Sequence, residues 1–526
     1  MLQNNSLKEK KFESKEILLI NTIPSSLGEG EEKTNVPAGL LAIGTWITKN
    51  SDFNVKLIDC LVEKNYLDKI KEEINKGDIF LVGLSVMTFC IPNALEITRL
   101  IKKMNPEIKI IWGGVHIRLY SEQTIKHPLI DFIAYNEGEK PMLNLAKCLA
   151  SGKSYRNVKG IMYKQNGKII KTPPEDFLDL NELGVLNYDL LNPEVFEGRL
   201  ISILTSRGCP HRCTFCINFI TKNSRWRYLT PENVVREIEL LNKKYGVKVI
   251  MFSDECFFVN KERAEKILDI LIEKNFDVSF SGNLRADYFL KGLVTKEILD
   301  KMKKCGFFNV GISPEFGSQK MRDFIKKDVT NKDIFTAVKM IKDAGLGASY
   351  GFMTGFPTET KQDTLATVEM AKKIYNLNKG ITVVKKGNKI YTWREKSRIS
   401  GPEIYRPYPG GELYDYLVKK YNWSSPETLE GWEKYFQENT RYRIEDYPWL
   451  ELKPEYYAAL QLYVKAGRLD FPTFFKRMTL PYPLKWKIIS ALFYPFAKIR
   501  MSINFFDFPF EYIIGEKLGL MKVFVG

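Results

Sequence analysis

Cys209, Cys213 and Cys216 stand in a C-x3-C-x2-C pattern, three thiols within eight residues. That spacing puts three sulfurs on one loop, close enough to share a single metal centre. No fourth cysteine stands close behind. Cys60, Cys90, Cys148, Cys256 and Cys305 are dispersed in apolar contexts and read as buried free thiols. A cubane iron–sulfur cluster takes a thiolate on each iron, so three thiolates leave one iron with an open position. An open position separates a metal centre that does chemistry from one that only holds a fold together. The rival is zinc bound through Cys213-x-x-Cys216. A structural zinc takes a second Cys or His pair at short range; His211 lies between the ligands and nothing suitable follows. An iron–sulfur cluster is the expectation.

The elements around the loop must aim it. An apolar run at 200–204 comes just before it, and strand–helix alternation continues to about residue 375. Strands are expected at 200–204, 247–252, 278–281, 309–312 and 348–353. Helices are expected at 231–244, 261–273, 296–304, 332–343 and 360–375, the first starting at Pro231 behind Thr230 as N-cap. Five or six such units suit a partial (β/α) barrel, whose active site lies at the strand C-termini. The cysteine loop falls at such an end. So do Ser253-Asp254-Glu255, Gly282-Asn283-Leu284-Arg285, Ser313-Pro314-Glu315-Phe316-Gly317 and Gly351-Phe352-Met353-Thr354-Gly355-Phe356-Pro357-Thr358-Glu359. Each has a plainer reading: a helix N-cap for the acidic pair, loop residues bonding their own backbone for the next two, a turn for the last.

Residues 16–150 alternate in the same way, with strands at 17–20, 55–58, 79–85, 108–112 and 130–134 and helices at 38–49, 67–75, 92–104 and 141–150. A doubly wound parallel sheet of flavodoxin-like type is expected, binding ligands beyond its strand ends. Loop 21–39, Ser85 and the turn Gly113-Gly114-Val115-His116 lie there; adjacent glycines let backbone approach a bulky ligand, or simply make a tight turn. Residues 151–198 read as a surface linker with an Asn166-Gly167 hairpin signal. A basic stretch at about 380–400 reads as an insertion, either a solvated hairpin or a contact for an anionic substrate. Residues 416–526 are helical, aromatic and basic: a barrel cap, or a segment lying on an anionic membrane.

On the cysteine signature, with Phe215 before its last cysteine, the chain resembles the radical S-adenosylmethionine (SAM) superfamily. Residues 16–150, through Val82-Gly83-Leu84-Ser85, Gly113-Gly114-x-His116 and Asn136-Glu137-Gly138-Glu139, resemble the cobalamin-binding domain that precedes many radical SAM barrels. The resemblance implies a 4Fe–4S cluster on Cys209, Cys213 and Cys216. It implies SAM contacts from Phe215, Asp254 or Glu255, Asn283, Arg285, Glu315, Gly355 and Phe356. It implies cobalamin contacts from Ser85, Gly113, Gly114, His116 and Glu137. The order would be a cobalamin-binding domain at 1–150, a linker at 151–198, the barrel at 199–415 and the helical region at 416–526. The barrel departs from relatives in Ser313-Pro314-Glu315 where Glu-Ser-Gly is usual. The D-x-H-x-x-G motif that supplies histidine to cobalt elsewhere is absent, so cobalt is expected to have no protein histidine ligand and to release a methyl group readily.

Length and composition set the outer bounds. At 526 residues and 61.0 kDa the chain is long enough for two to four domains, with 44% hydrophobic and 27% charged residues, as globular cores require. The net charge of +16 is spread among acids with no arginine-rich arm, so nucleic acid is not an expected partner. The first ten residues lack the apolar core of a signal peptide, and no run of about 18 apolar residues suggests a membrane span. The expectation is a cytoplasmic radical SAM methyltransferase, with membrane association through the C-terminal region as an option. It would act on an unactivated carbon of a small molecule, lipid-like or anionic, with flavodoxin or ferredoxin as reductant. The alternatives are an oxidative cyclase or rearrangement enzyme and, outside catalysis, a cobalamin sensor or carrier with a relict cluster site.

Overall fold

A computed structural model describes residues 16–24, 36–198, 200–221, 225–386, 389–438, 447–467, 484–510 and 513–514. The expectations for the first ten residues, for most of loop 21–39, for the basic side chains of 381–395 and for 476–483 lie outside the described residues. The chain forms two compact units. One is Met1–Ser202 with Ser424–Tyr442; the other is Ile203–Trp423 with Arg443–Gly526.

The first unit is built on β1 (Glu16–Asn21), β2 (Asn54–Asp59), β3 (Ile79–Ser85), β4 (Lys109–Gly113) and β5 (Phe132–Ala134), all parallel, in the order β2-β1-β3-β4-β5. Helices Ala38–Asn50, Tyr66–Asn75, Ile91–Met104 and Glu139–Ser151 fall between or after them as the 3.6-residue patterns required. β1 and β3 are continuous apolar runs because both faces of a parallel sheet are covered. The order reverses between β1 and β3, which opens the crevice where such folds take ligands.

Two expectations need correction. The connector at 151–198 is partly sheet: β6 (Ile161–Gln165) and β7 (Lys168–Lys171) form a hairpin that pairs antiparallel onto β5. Asn166 and Gly167 both take positive φ to close its turn, and Ile161, Met162 and Tyr163 are buried, which pulls the hairpin onto the sheet rather than across the surface. The region 416–526 is not one domain either. Helix Leu429–Glu438 belongs to the first unit, with Leu429, Trp432 and Phe436 on one face in the apolar core and Arg99 paired with Glu433.

The chain passes into the second unit at the last residue of β8 (Leu200–Ile203); a short antiparallel pair, β9 (Ser206–Arg207) and β10 (Arg227–Tyr228), frames the cysteine loop. β11 (Val249–Phe252), β12 (Ser279–Leu284), β13 (Phe307–Glu315) and β14 (Gly347–Thr354) follow. The insertion forms an antiparallel pair, β15 (Ile381–Lys386) and β16 (Lys389–Glu395), before β17 (Ser397–Ile404). The sheet order β8-β11-β12-β13-β14-β17 keeps chain order, with pairs from β11 to β17 parallel, which is a six-stranded partial barrel. β17 takes in Ser397–Ser400, expected inside the insertion. Ser397 and Ile399 point inward and Arg398 outward, a period of two that the basic run obscured. Phe280 and Phe307 stack at 5.7 Å on Phe252 in the core. Thr230 caps helix Pro231–Tyr245 by accepting from the Asn233 N–H.

Candidate active site

The cysteine loop leaves the barrel between β8 and β11, and its root is fixed by a buried charged cluster. Asp254, 2% exposed, accepts from the backbone N–H of Thr205 at 2.8 Å and the Ser206 hydroxyl at 2.7 Å, while the Thr205 hydroxyl donates to both carboxylate oxygens. Burial raises its pKa, against those hydrogen bonds and the Arg263 charge. Arg263, on helix Lys261–Lys274, donates to the carbonyls of Leu229 and Thr205, each at 2.9 Å. Asp254 is therefore turned into the protein, and its expected role at the barrel mouth is withdrawn. Its neighbour Glu255 is exposed. Of the pair left open by the sequence, Glu255 is the one facing out.

Gly208, with φ of 86°, makes the turn into Cys209. A second loop clamps the three cysteines from the side. The Thr214 N–H donates to the Ile325 carbonyl at 3.0 Å, and Arg212 makes a two-pronged pair with Asp328 at 3.0 and 3.1 Å. Lys326 and Asp328 both sit at positive φ, a strained backbone conformation. Between them, Lys327 donates at 2.7 Å to Glu315, which itself has φ of 64°; both side chains are buried. Glu315 is thus engaged by a lysine, as an oppositely charged pair out of water requires.

Arg285 closes the other flank. Its guanidinium donates to Asp287 at 3.0 Å and the Lys327 carbonyl at 2.8 Å, and its remaining nitrogen lies 3.9 Å from the Cys213 sulfur. The sequence placed Arg285 against SAM; the structure turns it toward the Cys213 sulfur. Asn283, two residues earlier, is exposed near the end of β12. Gly311 on β13 leaves room for it, since a Cβ there would lie 2.1 Å from the Asn283 Oδ1. Cys256 was read as an inert buried thiol. It lies with Cys209 and His211 so that the sulfurs and a ring nitrogen are all within 4.8 Å of one another. Cys256, Tyr288, Lys327 and Arg263 carried no motif; the one available signal was Cys256 directly after Glu255 at a strand end.

The end of β14 supplies an apolar wall. Phe356 stacks on Tyr405 at 4.1 Å and meets Phe316 and Phe215 edge-on at 5.1 and 5.9 Å. Gly355, φ 75°, passes its carbonyl to the Trp449 indole at 2.9 Å. Glu359 is buried and shapes this turn, accepting from the Phe356 N–H and the hydroxyls of Thr354 and Thr364. Burial pushes its pKa up to about 7.

In the first unit, Ser85 and Gly113 stand opposite each other at the ends of β3 and β4. A Cβ on Gly113 would touch nothing nearer than a carbonyl at 4.0 Å, so bare backbone faces open space. Gly114 has φ of 103°, and a Cβ there would sit 2.8 Å from both the N and O of Val86. Glu137 follows β5, next to Gly138. His116 departs from expectation: it is fully buried, stacked on Tyr120 at 4.9 Å, with Trp432 edge-on at 6.4 Å and its Nδ1 3.3 Å from the Thr88 hydroxyl. Burial holds its pKa down to about 3, so it is neutral core and lines no open face.

Three thiols on one clamped loop, flanked by a guanidinium, fit a cluster with one open iron. Glycine backbone at a strand-end crevice fits a large flat ligand. Known proteins agree. Residues 203–371 match the Radical SAM superfamily and residues 34–146 the B12 binding domain. An uncharacterized methyltransferase of Pyrococcus horikoshii is 29% identical over 424 residues, 79% of this chain and 86% of its own. The anaerobic magnesium-protoporphyrin IX monomethyl ester cyclase of Rubrivivax gelatinosus is 27% identical over 352 residues, 64% of this chain and 62% of its own. The solved cobalamin-dependent S-adenosylmethionine radical enzyme OxsB, with aqua-cobalamin bound, shares the fold at a TM-score of 0.70 and 18% identity, covering 93% of this chain and 72% of that one. The cofactors that accompany these domains are a 4Fe–4S cluster, SAM and cobalamin.

Proposed function

We propose that this chain, a cobalamin-binding radical SAM enzyme, is a methyltransferase acting on an unactivated carbon of a small molecule. The observation that carries the reading is where its three histidines go. His116 is sealed in the core, His127 lies against Glu430 at 3.3 Å, and His211 is hydrogen-bonded to Tyr288 at 2.8 Å. None would offer imidazole to cobalt at the strand-end crevice, and a cobalt without that ligand would give up a methyl group more readily. Together the bound cofactors supply a 5′-deoxyadenosyl radical to remove hydrogen and a methyl group to replace it.

The chain's own residues position and shield that chemistry. Cys209, Cys213 and Cys216 would hold the cluster. Glu255 would accept from the SAM amino group and Asn283 bond its ribose. Phe356 and Phe215, with the turn at Gly355, would wall its adenine from water. Ser85, Gly113, Gly114 and Glu137 would border cobalamin. Asp254 acts only through the loop root. The test is anaerobic reconstitution with reductant and candidate substrates: S-adenosylhomocysteine appearing together with 5′-deoxyadenosine supports methyl transfer. The 27% identical cyclase favours a second reading, ring formation or rearrangement. Deoxyadenosine without S-adenosylhomocysteine would replace the first reading with that one.

The C-terminal helices bear on where the substrate comes from. Among the described residues no helix is long and apolar enough to cross a membrane. Yet Leu492, Phe496, Ile499 and Ile503 form an exposed stripe on helix Leu484–Ile503, continued by Phe505, Phe508 and Phe510. Arg500 donates to the Phe505 and Phe508 carbonyls and fixes that aromatic tip. The helix itself contains no acidic residue. This face suits an anionic lipid surface and a lipid-like substrate. Flotation with phosphatidylserine vesicles should be lost in Phe508→Ser/Phe510→Ser; equal flotation of both proteins, or of neither, removes the membrane contact.

A further inference from the structure

We propose that Cys256, held by Tyr288 and His211, donates a hydrogen bond to the Cys209 thiolate and thereby raises the reduction potential of the cluster on this loop. The inference rests on the iron–sulfur reading of Cys209, Cys213 and Cys216 and adds a positioning residue to it.

Three elements converge to make the contact. Cys256 comes from the end of β11, Tyr288 from the short helix Asp287–Leu290, and His211 from the cysteine loop itself. The Cys256 sulfur is 2.9 Å from the Tyr288 hydroxyl, and that hydroxyl is 2.8 Å from the His211 Nε2. Cys256 and Tyr288 are both buried, 4% exposed. The Cys209 sulfur lies within 4.8 Å of both the Cys256 sulfur and a His211 ring nitrogen.

Distances leave the direction of donation open, and the thiolate chemistry of a cluster ligand favours one of the two. A thiolate bound to iron has no proton and can only accept. The proposed chain of donors ends on Cys209: His211 Nε2–H to the Tyr288 oxygen, Tyr288 O–H to the Cys256 sulfur, Cys256 S–H to Cys209. In the reverse order Cys256 would point its proton at Tyr288 and give none to Cys209. Successive donors in a buried chain polarise one another, so the last bond is stronger than an isolated S–H contact. Hydrogen bonds to cluster sulfurs favour the more negative, reduced state and so raise the potential. Arg285 does the same for Cys213 by charge from 3.9 Å; Cys256 does it without charge, through a side chain that nothing else in the site uses.

The test is a reductive titration of anaerobically reconstituted full-length protein, followed by electron paramagnetic resonance. The proteins compared are wild type, Cys256→Ala, Cys256→Ser and Tyr288→Phe. At the potential where half the wild-type clusters are reduced, Cys256→Ala should show a severalfold lower ratio of reduced to oxidised cluster. A tenfold drop would be a shift of about 59 mV for one electron. Cys256→Ser keeps a donor and should return most of the way. Tyr288→Phe, which loses the hydroxyl without emptying the site, should fall between. A wild-type midpoint in Cys256→Ala at full iron content overturns the proposal, as does a wild-type midpoint in Tyr288→Phe should the alanine variant not fold. Loss of iron in Cys256→Ala alone also overturns it, since Cys256 would then be a ligand. Failure of the wild type to bind iron would instead bring down the iron–sulfur reading beneath it.

Discussion

The strand-end crevice of the first unit and the cysteine loop of the second are built by opposite means. The crevice is made by leaving side chains out: Ser85, Gly113 and Gly114 expose backbone, and the nearby histidine is buried as neutral core. The cysteine loop is made by crowding side chains in. Asp254, Arg263, Arg285, Lys327 and Glu315 hold it through hydrogen bonds to its root, its flank and the loop beside it. A large preassembled ligand needs room and backbone donors, whereas a cluster built on thiolates needs its ligands aimed and its charge balanced.

The sharpest way to break the comparison is at the loop. Cys213→Ala should take bound iron from about four per chain to near zero and abolish SAM cleavage, with cobalamin binding retained; iron analysis and the visible spectrum read both. If cobalamin is lost as well, the two sites are not built independently. Next in size is Trp432→Ala. It removes a fully buried side chain from the first unit's core, at a cost of about 3–5 kcal/mol. Chemical denaturation should show the first unit melting earlier while iron content stays intact.

Acid should move the two units in opposite directions. His116, held at about 3 against an ordinary 6.5, binds fewer protons folded than unfolded, so the first unit loses stability as pH falls below 6.5. Glu359, raised to about 7 from 4.5, binds more protons folded, so the second unit gains stability as pH falls from 7 toward 4.5. Between about pH 7 and pH 5 each effect is roughly 1–2 kcal/mol. Hydrogen exchange corrected for its intrinsic rate should show 109–120 opening and 347–364 tightening; movement in the same direction refutes the assignment. A smaller, local change is Gly114→Ala, where the positive φ and the close Val86 backbone cost about 1–3 kcal/mol and should weaken cobalamin retention on gel filtration. Smallest is Arg212→Ala. That pair with Asp328 is exposed, so iron content and melting temperature should match wild type.

Much of this was legible locally. The C-x3-C-x2-C spacing, the strand runs and the Thr230 cap depend on residues a few positions apart, and the structure places them as read. The Asn166-Gly167 turn was legible too, but not the sheet edge its hairpin joins. The misreadings share one cause. Whether Asp254 looks into the barrel mouth or back at Thr205 depends on the position of a loop root 49 residues earlier in the chain. Arg285 could have reached substrate or sulfur, and loop 325–328 decided which. Trp432 had an ordinary amphipathic pattern that gave no sign of a core more than 300 residues away.

By itself, then, the sequence determined which atoms were available: three thiols on one loop, glycine where backbone must be bare, and no histidine motif for cobalt. Ligand identity and spacing are local properties of a chain. Only the tertiary structure decided what those atoms face, because direction is set by partners distant in sequence. It sealed His116 beneath Trp432, gave Glu315 its lysine, and brought Cys256 and Tyr288 to Cys209.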